Sequence, residues 1–541
     1  MPDDPSPTAK SRSLIPVVTS AEAMARDRAA IDAGIPSRAL MQRAGAATAA
    51  EIALRCGDRL QAGVLVLAGP GNNGGDAWVV ARALAASGVR VRVAEPVAAG
   101  TPDAIAERDL ALPFVELMPS AEAAAEADPY RGEGVVVDGL LGTGASGPPR
   151  GPIARAIAHL RTARERGAIV VALDLPSGVD ATSGQMHKPT PADFTFTYGT
   201  IKRGHLLARA ACGRIVVLDI GLGRHADLED TAPRIVNASW AARHVPDFAP
   251  DAHKGTRKKL AIIGGGSGMS GAVILAAKAA WRSGIGMVKL VVASESLDAV
   301  REAEPQSLTA AWPDQPRLSA SASTDMRDLA KWADVVAIGP GLGVGTRQRQ
   351  LVEQVLNEFR GPVVLDADAI NTFNADVNSL ARLLDGRAAV LTPHPAEFGR
   401  LAGVAVDDVL ARRFDLPGAT ARHTRAVVLL KGQPTVITSP HGQRLVSASG
   451  TPLLAAAGSG DVLTGMVATL LAQVSDPLTA AACAAYVHGR AAWLAQRGSR
   501  GARGLALDDV IAALPRAWDL RARPSRSPVL LELPDLLPRR A

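Results

Sequence analysis

Short apolar runs alternate with helical patterns along the first half of the chain. The runs are five to seven residues long and end in glycine or in a turn, as buried strands do. They are Val64–Ala68, Val89–Ala94, Val135–Leu141, Ile169–Leu173, Phe194–Tyr198 and Ile215–Ile220. Helical patterns such as Asp76–Ser87 and Pro152–Arg166 lie between several of them. This alternation predicts a parallel sheet that is covered by helices on both faces.

The same alternation returns in the second half of the chain. Its predicted strands are Leu260–Gly264, Met287–Val292, Val335–Gly339, Val363–Asp366, Ala389–Thr392, Val427–Lys431 and Thr435–Thr438. Ala-rich helices separate these strands, and two long helices follow, one from about Gly460 and one over Leu478–Gln496. Beyond Trp518 an Arg- and Pro-rich tail is predicted to have little order.

A weakly patterned stretch separates the two series of strands. Between about Arg224 and Gly255 the sequence mixes Pro, Asp, His and Arg, which predicts a linker at residues 229–253 with one short helix around Ser239–Arg243. A chain of 541 residues exceeds what one hydrophobic core usually serves, so two domains are expected. The predicted domains are residues 14–228 and 254–515. Since no solenoid-like repeat is present, we expect two different α/β units in series.

Composition and charge disfavour several classes of protein. Hydrophobic residues make up 47% and charged residues 21% of the chain, as in ordinary globular proteins. The net charge of +6 comes with dispersed Arg residues that lack interleaved aromatic residues, so nucleic-acid binding is not expected. Cys56, Cys212 and Cys483 lack a metal-binding spacing, which favours a reduced, cytoplasmic setting. No apolar run has the length of a membrane span, and Met1–Ser13 lacks the apolar core of a secretion signal.

Three polar loops follow predicted strands of the first half. They are Gly69-Pro-Gly-Asn-Asn-Gly-Gly-Asp76, Asp138-Gly-Leu-Leu-Gly-Thr-Gly144 and Asp174-Leu-Pro-Ser-Gly-Val-Asp180. Because the carboxyl ends of parallel strands meet at one edge of a sheet, these loops are expected to converge. The first loop leads from a strand into a helix, where free N–H groups and the helix dipole favour a pyrophosphate. Its glycine spacing differs from the standard dinucleotide fingerprint, which weakens an oxidoreductase interpretation.

The side chains on these loops indicate a cation site and a base. Hard oxygen ligands suited to an alkali or alkaline-earth cation are offered by Asn72, Asn73, Asp138 and Ser177. Asp174 lies between Leu173 and Leu175, where desolvation favours a basic carboxylate. Simpler roles stay open for each residue alone: Asp76 as a helix cap, Asp138 and Asp174 as turn acceptors, and Ser177 in an ordinary tight turn.

With these motifs the first half resembles the N-terminal epimerase domain of NAD(P)H-hydrate repair enzymes, over residues 14–223. The resemblance rests on the three loops together with Thr197-Tyr-Gly-Thr-Ile-Lys202. It implies a Rossmann-like three-layer sandwich in which Asp174 contacts the hydrated dinucleotide and Asn73, Asp138 and Ser177 bind potassium. It implies further contacts to the hydrate from Asn72, Asn73, Gly74, Gly75, Asp76, Gly142, Thr143, Gly144, Ala145, Ser146, Gly147 and Pro148. One departure is Ala77-Trp78, where the family places glycine and a smaller residue; this change is expected to narrow the pocket or tilt the start of the helix.

Five loops of the second half also follow predicted strands or open helices. They are Gly264–Ala272, Gly339–Gly343, Thr392–Glu397, Leu430–Thr435 and Ala457–Asp461. In the last of them successive amides form an anion hole, and Asp461 can take a proton from a hydroxyl as a phosphoryl group arrives. Lys431 can neutralise a phosphate oxygen. The simpler roles are a structural histidine for His394, a solvated amine for Lys431 and a helix cap for Asp461, where a neutral serine would serve equally well.

Over residues 254–513 the chain resembles the ribokinase-like superfamily and, more closely, the C-terminal dehydratase domain of the same repair enzymes. The motifs are Gly268-Met-Ser-Gly-Ala272, Gly339-Pro-Gly-Leu-Gly343, Thr392-Pro-His-Pro-Ala-Glu397, Lys431-Gly-Gln-Pro-Thr435, Gly458-Ser-Gly-Asp461 and Tyr486-Val-His-Gly489. The resemblance implies a ribokinase-like three-layer α/β domain with hydrate contacts from Ala272, Gly343, His394 and Asp461. It implies adenine-nucleotide contacts from Lys431, Gly432, Gln433, Pro434, Thr435 and Gly460. Bacterial fused members of this family typically use ADP and release AMP, whereas eukaryotic single-domain relatives use ATP.

The two resemblances together predict repair of hydrated NADH and NADPH. The first half interconverts the R and S hydrates with K+ bound, and Asp174 is the candidate base. The second half phosphorylates the S hydrate from ADP with Mg2+ on the diphosphate and Asp461 as base, and then releases phosphate. A homo-oligomer is also expected.

Two alternatives to this repair function stay open. One is a ribokinase-type kinase that keeps the phosphate on its product and carries a regulatory, dinucleotide-sensing first half. The other is a non-catalytic dinucleotide sensor whose first half only regulates the second. The sequence also leaves open the choice of NADH or NADPH, the choice of ADP or ATP, and the number of subunits.

Overall fold

The computed structural model describes residues 14–118, 128–222, 231–312, 325–497, 503–521 and 526–536. The predictions made for Met1–Ser13 and for the start of the linker, up to residue 230, lie outside the described residues. The chain divides into two compact units. The first unit extends to Ala232 and also includes Arg523–Leu536, and the second unit comprises Pro233–Ala522.

The first unit is built on a largely parallel sheet. Its described strands are β1 (Val17–Val18), β2 (Val64–Ala68), β3 (Val91–Ala94), β4 (Glu116–Leu117), β5 (Val135–Gly139), β6 (Ile169–Leu173), β7 (Phe194–Tyr198), β8 (Ile201–Lys202), β9 (Arg214–Leu218) and β20 (Val529–Leu533). The order in the main sheet is β20-β9-β7-β6-β5-β2-β3-β4. Every neighbouring pair in it is parallel except β20 with β9, and β1 pairs separately with β8.

Helices pack against the sheet of the first unit. They are α1 (Ser20–Asp32), α2 (Ser37–Cys56), α3 (Asn72–Ala86), α4 (Pro102–Ala111), α5 (Gly151–Glu165), α6 (Arg203–Leu207) and α7 (Arg209–Cys212). Strands β2 and β5 are buried at all five positions, which is why β2 and the first three residues of β5 are apolar runs in the sequence. The chain order reverses between these two strands, so a crevice is expected at their carboxyl ends.

The second unit has a larger sheet. Its described strands are β10 (Arg234–Ile235), β11 (Lys259–Ile263), β12 (Met287–Val292), β13 (Leu308–Ala311), β14 (Val335–Ile338), β15 (Val363–Leu365), β16 (Ala389–Leu391), β17 (Val427–Leu430), β18 (Thr435–Thr438) and β19 (Arg444–Ser447). Their order is β10-β19-β18-β17-β16-β15-β14-β11-β12-β13. The pairs of β18 with β17 and with β19 are antiparallel and the others are parallel. The chain order of this sheet reverses between β11 and β14.

The described helices of the second unit complete the α/β alternation. They are α8 (Ala238–His244), α9 (Ser270–Arg282), α10 (Leu297–Ala303), α11 (Met326–Trp332), α12 (Thr346–Glu358), α13 (Ala367–Asn371), α14 (Val377–Leu384), α15 (Pro395–Ala402), α16 (Val406–Ala411), α17 (Pro417–Thr424), α18 (Ser459–Gln473), α19 (Pro477–Arg497) and α20 (Leu507–Ala517). Both units therefore have the predicted α/β class. Within the described residues, no helix is both long and apolar enough to cross a membrane.

Two segments differ from the sequence-based expectation. The short helix predicted around Ser239–Arg243 is present as α8, but the predicted linker also forms β10, which pairs in parallel with β19 of the second sheet. The tail beyond Trp518 was predicted to have little order, yet its segment Val529–Leu533 is an edge strand of the first sheet. The prediction for this part of the tail was wrong, because the Arg and Pro residues around Val529–Leu533 outweighed a short apolar run whose order comes from pairing with β9.

Candidate active sites

The first candidate site is a cavity of about 540 Å³ in the first unit. The loops after β2 and β5 line it, at the point where the chain order of the sheet reverses. The predicted substrate residues in its wall are Asn72, Asn73, Asp76, Gly142, Thr143, Gly144, Ala145 and Asp174. The other predicted substrate residues of this unit, Gly74, Gly75, Ser146, Gly147 and Pro148, lie outside the lining.

Glycine is required where the first two loops meet. Helix α3 begins at Asn72, so the Asn-Asn-Gly-Gly sequence forms its first turn. A Cβ atom on Gly74 would lie 1.8 Å from the carbonyl oxygen of Gly69, and one on Gly69 would lie 1.9 Å from that of Leu140. This close packing brings the free N–H groups of the α3 terminus to the cavity. Asp76 is the fifth residue of α3, so it does not cap the helix.

The three predicted potassium ligands lie together in the structure. Asn73 Nδ2 donates to the carbonyl oxygen of Leu141 at 3.0 Å, and the N–H of Leu141 donates to Ser177 Oγ at 2.9 Å. Ser177 donates its hydroxyl to Asp138 Oδ1 at 2.6 Å and its N–H to Oδ2 at 2.8 Å. All three predicted ligands are buried, and Asn73 Oδ1 has no hydrogen-bond partner among the described residues. A buried amide oxygen without a donor, linked to a carboxylate and a hydroxyl, fits an alkali cation.

The carboxyl group of Asp174 is held in its ionised form. Lys202 Nζ lies 2.5 Å from Oδ1, and Thr143 donates its N–H and its hydroxyl to Oδ2 at 2.8 and 2.5 Å. Burial opposes ionisation, but the charge of Lys202 and these hydrogen bonds lower the pKa of Asp174 to about 2. A carboxylate with such a pKa is a weak proton acceptor at neutral pH. The lowered pKa favours a ligand-binding role for Asp174 over the predicted role as the epimerisation base.

His205 supports Asp174 and was not identified from the sequence. Its Nδ1 accepts a hydrogen bond from the N–H of Lys202 at 3.0 Å, and its Nε2 lies 2.6 Å from the carbonyl oxygen of Asp174. Since Nδ1 accepts, Nε2 carries the proton and donates it to Asp174. Asp174 has a φ of 61°, which costs a non-glycine residue on the order of 1–3 kcal/mol unless its surroundings hold it. A histidine three residues after a lysine is a common pattern, so no sequence signal pointed to it.

Asp76 presents a different kind of carboxyl group to the same cavity. The carboxyl group of Asp76 has no hydrogen-bond partner among the described residues. Asp174 and Asp27 of α1 lie in the same cavity wall. Burial raises the pKa of Asp76 well above its ordinary value, and the charges of Asp174 and Asp27 raise it further. The cavity wall therefore combines Asp174, whose pKa is lowered, with Asp76, whose pKa is raised.

The unusual Ala77-Trp78 pair does not narrow this cavity. Both side chains are fully buried on the core side of α3, and neither lines the cavity. A Cβ atom on Gly139 would lie 2.4 Å from the methyl group of Ala77, so the helix packs tightly on the end of β5. Because α3 already begins at Asn72, the pair lies inside the helix and does not set its start. The pair therefore contributes to the core of the unit and not to the cavity wall.

The second candidate site is a cavity of about 500 Å³ in the second unit. It lies over the carboxyl ends of β15, β16 and β17 and is closed on another side by the start of α18. The predicted nucleotide residues that line it are Lys431, Gly432, Gln433, Thr435 and Gly460, whereas Pro434 is outside the lining. Most of the residues predicted to hold the nucleotide thus share one cavity.

The start of α18 forms the predicted anion-binding turn. Gly458 precedes the helix with a φ of 90°, and no side chain caps the first N–H groups. Asp461 is the third residue of the helix and lines the cavity, so the simpler role as a helix cap is wrong. Burial raises the pKa of Asp461 to about 7, and the charge of Asp366 adds to the shift. A carboxylate with this pKa is well matched to accept a proton near neutral pH.

Asp366 is a functional residue that the sequence reasoning missed. It follows β15, is 1% exposed, and accepts hydrogen bonds at 2.8 Å from Lys431 Nζ, 2.8 Å from Thr392 Oγ1 and 2.6 Å from Thr464 Oγ1. Its position after a strand of the second series was the available signal. From the sequence, Asp366 was predicted only as the last residue of a strand.

His394 has the structural role that the sequence left open. Its Nδ1 accepts the N–H groups of Ala396 and Glu397 at 3.1 and 3.3 Å, so it caps α15. Its Nε2 lies 3.2 Å from Glu397 Oε1. The ring also lines the cavity, so capping and ligand contact are compatible for this residue.

Ala272 and Gly343 lie apart from the nucleotide cavity but at the same edge of the sheet. Both follow strands at the reversal of chain order between β11 and β14, and neither lines the cavity. The N–H of Gly343 donates to Asp368 Oδ2 at 2.8 Å. Asp368 is two residues beyond Asp366, so one short segment connects the two parts of the site.

Comparisons with known proteins cover both units. A family model described as NAD(P)H-hydrate dehydratase matches residues 260–516, and one described as YjeF-related protein N-terminus matches residues 37–204. Two α/β units, each with its own cavity at the carboxyl ends of parallel strands, are the architecture of a bifunctional enzyme.

Curated relatives match nearly the whole chain. The bifunctional NAD(P)H-hydrate repair enzyme of Moorella thermoacetica is 34% identical over 92% of this chain and 96% of its own length. The enzyme of the same name from Salinibacter ruber is 35% identical over 93% and 96%, and that of Escherichia coli is 32% identical over 84% of each chain. The chain belongs to the family of bifunctional NAD(P)H-hydrate repair enzymes, which join an epimerase domain to a dehydratase domain. Family membership favours repair over the kinase alternative.

The solved structures that are similar to this chain cover about half of it. An ADP/ATP-dependent NAD(P)H-hydrate dehydratase from Bacillus subtilis, co-crystallised with ATP and Mg2+, is 29% identical, with a TM-score of 0.45, and covers 52% of this chain and 96% of its own. A ribokinase-like superfamily protein from Enterococcus faecalis is 21% identical with a TM-score of 0.46 and covers 53% of this chain and 96% of its own.

Proposed function

We propose that the first unit interconverts the R and S hydrates of NADH and NADPH, and that the second unit dehydrates the S hydrate with ADP as phosphoryl donor. The proposed dehydratase function of the second unit is supported by Asp461. Its carboxyl group lies in the first turn of α18 beside Lys431, and its pKa is raised. A base, an anion-binding helix terminus and a cation are the parts that phosphoryl transfer to a hydroxyl needs.

The dehydration follows from these groups. The hydroxyl of the hydrate gives its proton to Asp461 while its oxygen forms a bond to the terminal phosphorus of ADP and the bond to AMP breaks. The free N–H group of Gly460, in the first turn of α18, holds the charge of the phosphoryl oxygens. The ring nitrogen then expels phosphate, and loss of a ring proton restores the reduced nicotinamide.

Magnesium is proposed as the partner of the nucleotide. Among the described residues, no group of three or more His, Cys, Asp or Glu side chains is arranged to hold a metal ion. Mg2+ in such sites is usually bound mostly by phosphate oxygens, so the nucleotide itself would supply most of its ligands. When bound, it neutralises the diphosphate.

The epimerisation is assigned to Asp76 in place of Asp174. The hydroxyl of the hydrate is on a carbon that also bears the ring nitrogen, so a proton from an acid lets it leave as water. Water then adds to the other face and returns a proton. A carboxyl group that lines the cavity and has a raised pKa is suited to this exchange, as Asp76 is. Asp174 and Lys202 bind the ligand next to it.

Potassium is proposed to bind Asn73, Asp138 and Ser177. What supports it is the unpartnered amide oxygen of Asn73 beside the buried pair of Asp138 and Ser177. The ion supplies a positive charge close to the pyrophosphate site at the start of α3. We expect K+ to raise the thermal midpoint of the first unit relative to an equal concentration of choline, because a ligand stabilises the state that binds it. The variant Asn73→Ala should lose this difference.

The deciding experiment uses the full-length protein and separated R and S hydrates. With S hydrate and ADP we expect free phosphate, AMP and recovery of the absorbance of the reduced nicotinamide. With R hydrate the same products should appear only after conversion to S. The variant Asp76→Asn should process S hydrate normally and leave R hydrate untouched. A stable phosphorylated product would instead establish the kinase alternative, and binding without conversion would establish the sensor.

A cytoplasmic homo-oligomer completes the proposal. Cys56, Cys212 and Cys483 are free and buried, as suits a reducing compartment. Several large apolar side chains near the β4 edge of the first sheet are exposed, which supports association: Ile105, Leu110, Phe114 and Leu117. Light scattering on the purified protein gives the subunit number directly.

A further inference from the structure

Both carboxylate oxygens of Asp366 accept hydrogen bonds inside the second unit. Oδ1 accepts from Lys431 and Thr392, and Oδ2 accepts from Thr464, a residue of α18. The three donors come from the end of β17, the end of β16 and the second turn of α18. One buried carboxylate therefore joins two strand ends to the helix whose terminus forms the anion site.

The ammonium group that Asp366 holds lies against that terminus. A Cβ atom placed on Gly460 would be 3.0 Å from Lys431 Nζ, so the amine sits over the first turn of α18. The second carboxylate near the amine, Glu397, is more distant, at 3.8 Å. The side chain of Lys431 is 18% exposed and lines the cavity, so a bound phosphate can reach it.

We propose that Asp366 is a positioning residue of the dehydratase: it fixes the ammonium of Lys431 at the start of α18 for the nucleotide phosphate and places a negative charge near Asp461. This inference rests on the proposed function of the second unit. Without the carboxylate the flexible four-carbon stem of Lys431 loses its only close ionic anchor among the described residues. Thr392 and Thr464 keep the carboxylate itself in one orientation.

The negative charge of Asp366 also raises the pKa of Asp461. Burial is the main cause of its raised pKa, and Asp366 is the next. The charged groups that face Asp461 are Asp366, Lys431, Glu397 and Asp368. The histidines of the same cavity are His394 and His488, whose pKa values burial lowers, so both are neutral near pH 7. Removal of the Asp366 charge is therefore expected to lower the pKa of Asp461.

The test is Asp366→Asn in the full-length protein, with the epimerase activity of the same molecule as an internal control. We expect KM for ADP to rise at least tenfold. In a plot of kcat against pH, the rise on the acid side, here called the acid limb, should move to lower pH by about one unit, because a nearby like charge is lost. Epimerisation should keep its wild-type rate. The matched control Asp407→Asn removes an exposed carboxylate of α16 and should change neither quantity.

A second variant separates position from charge. Thr464→Val removes one hydrogen bond to Asp366 but keeps its charge, so KM for ADP should rise while the acid limb stays in place. An unchanged KM in both variants, or equal shifts of the acid limb in both, overturns the proposal. If Asp366→Asn does not fold, Thr464→Val alone decides the question through KM. If wild-type protein releases no phosphate from hydrate, the proposed function fails, and calorimetric binding of ADP to the same variants still tests the role of Asp366.

Discussion

Replacing Leu531 by alanine is expected to destabilise the first unit selectively. Strand β20 is antiparallel to β9, and its alternate residues, including Leu531, are buried, while Leu530 and Glu532 face outward. The strand thus covers the apolar edge of a sheet that the rest of the first unit leaves open. The same segment provides Arg526, which pairs with the buried Glu51 of α2.

The magnitude follows from the burial of the side chain. Leu531 is 8% exposed, so nearly the whole side chain is removed from water. A buried leucine replaced by alanine costs about 2–5 kcal/mol, and an edge strand can relax, so we expect about 2–3 kcal/mol. For a unit of this size each kcal/mol lowers the thermal midpoint by about 2–4 °C. The midpoint of the first unit should therefore fall by about 4–12 °C.

The assay heats the full-length protein and follows both activities in the same samples. Epimerisation should be lost at lower temperature in Leu531→Ala, while ADP-dependent phosphate release keeps its wild-type midpoint. The control is Leu530→Ala, which truncates the neighbouring side chain, 37% exposed, and should shift the midpoint little. Equal midpoints for the two variants would refute the edge-strand role, and so would a parallel loss of dehydratase activity.

The remaining predictions concern the two sites. The wild-type dehydratase rate should rise with pH through about 7, since burial raises the pKa of Asp461 to that value and only its carboxylate accepts a proton; a flat kcat profile there would contradict its role. Lys202→Met should lower the free energy of unfolding by about 3–5 kcal/mol at neutral pH in a denaturant titration, because it leaves Asp174 buried without a counter-ion. The pKa of Asp174 in the folded state, about 2, is below its ordinary value of 3.8. The stabilisation by the ion pair is therefore present above about pH 4 and is lost as the pH falls through 2. If Lys202→Met lowered the free energy of unfolding equally at every pH, the ion pair would not be its cause. Gly74→Ala should reduce epimerisation more than tenfold without affecting the dehydratase, since a methyl group would lie 1.8 Å from the Gly69 oxygen; normal epimerase kinetics would show that the loops need not touch.

The sequence alone determined the class of fold and most of the strands. Strands such as β2 are buried on both faces, so they are continuous apolar runs that can be recognised without a structure. Because such strands are parallel, their polar ends had to meet at one edge. For that reason the cluster of Asn73, Asp138 and Ser177 was predictable before any distance was known.

Only the tertiary structure decided the charge states and the distant pairings. Because it lies between two leucines, Asp174 was predicted to be a base. In the structure its pKa depends on Lys202, which is 28 residues away in the sequence and whose Nζ lies 2.5 Å from Asp174 Oδ1. Asp366 gained its role from three donors on other elements. Strand β20 gained its order from β9, far earlier in the chain. Electrostatic and pairing energies depend on distance in space, and a local sequence pattern contains no information about that distance.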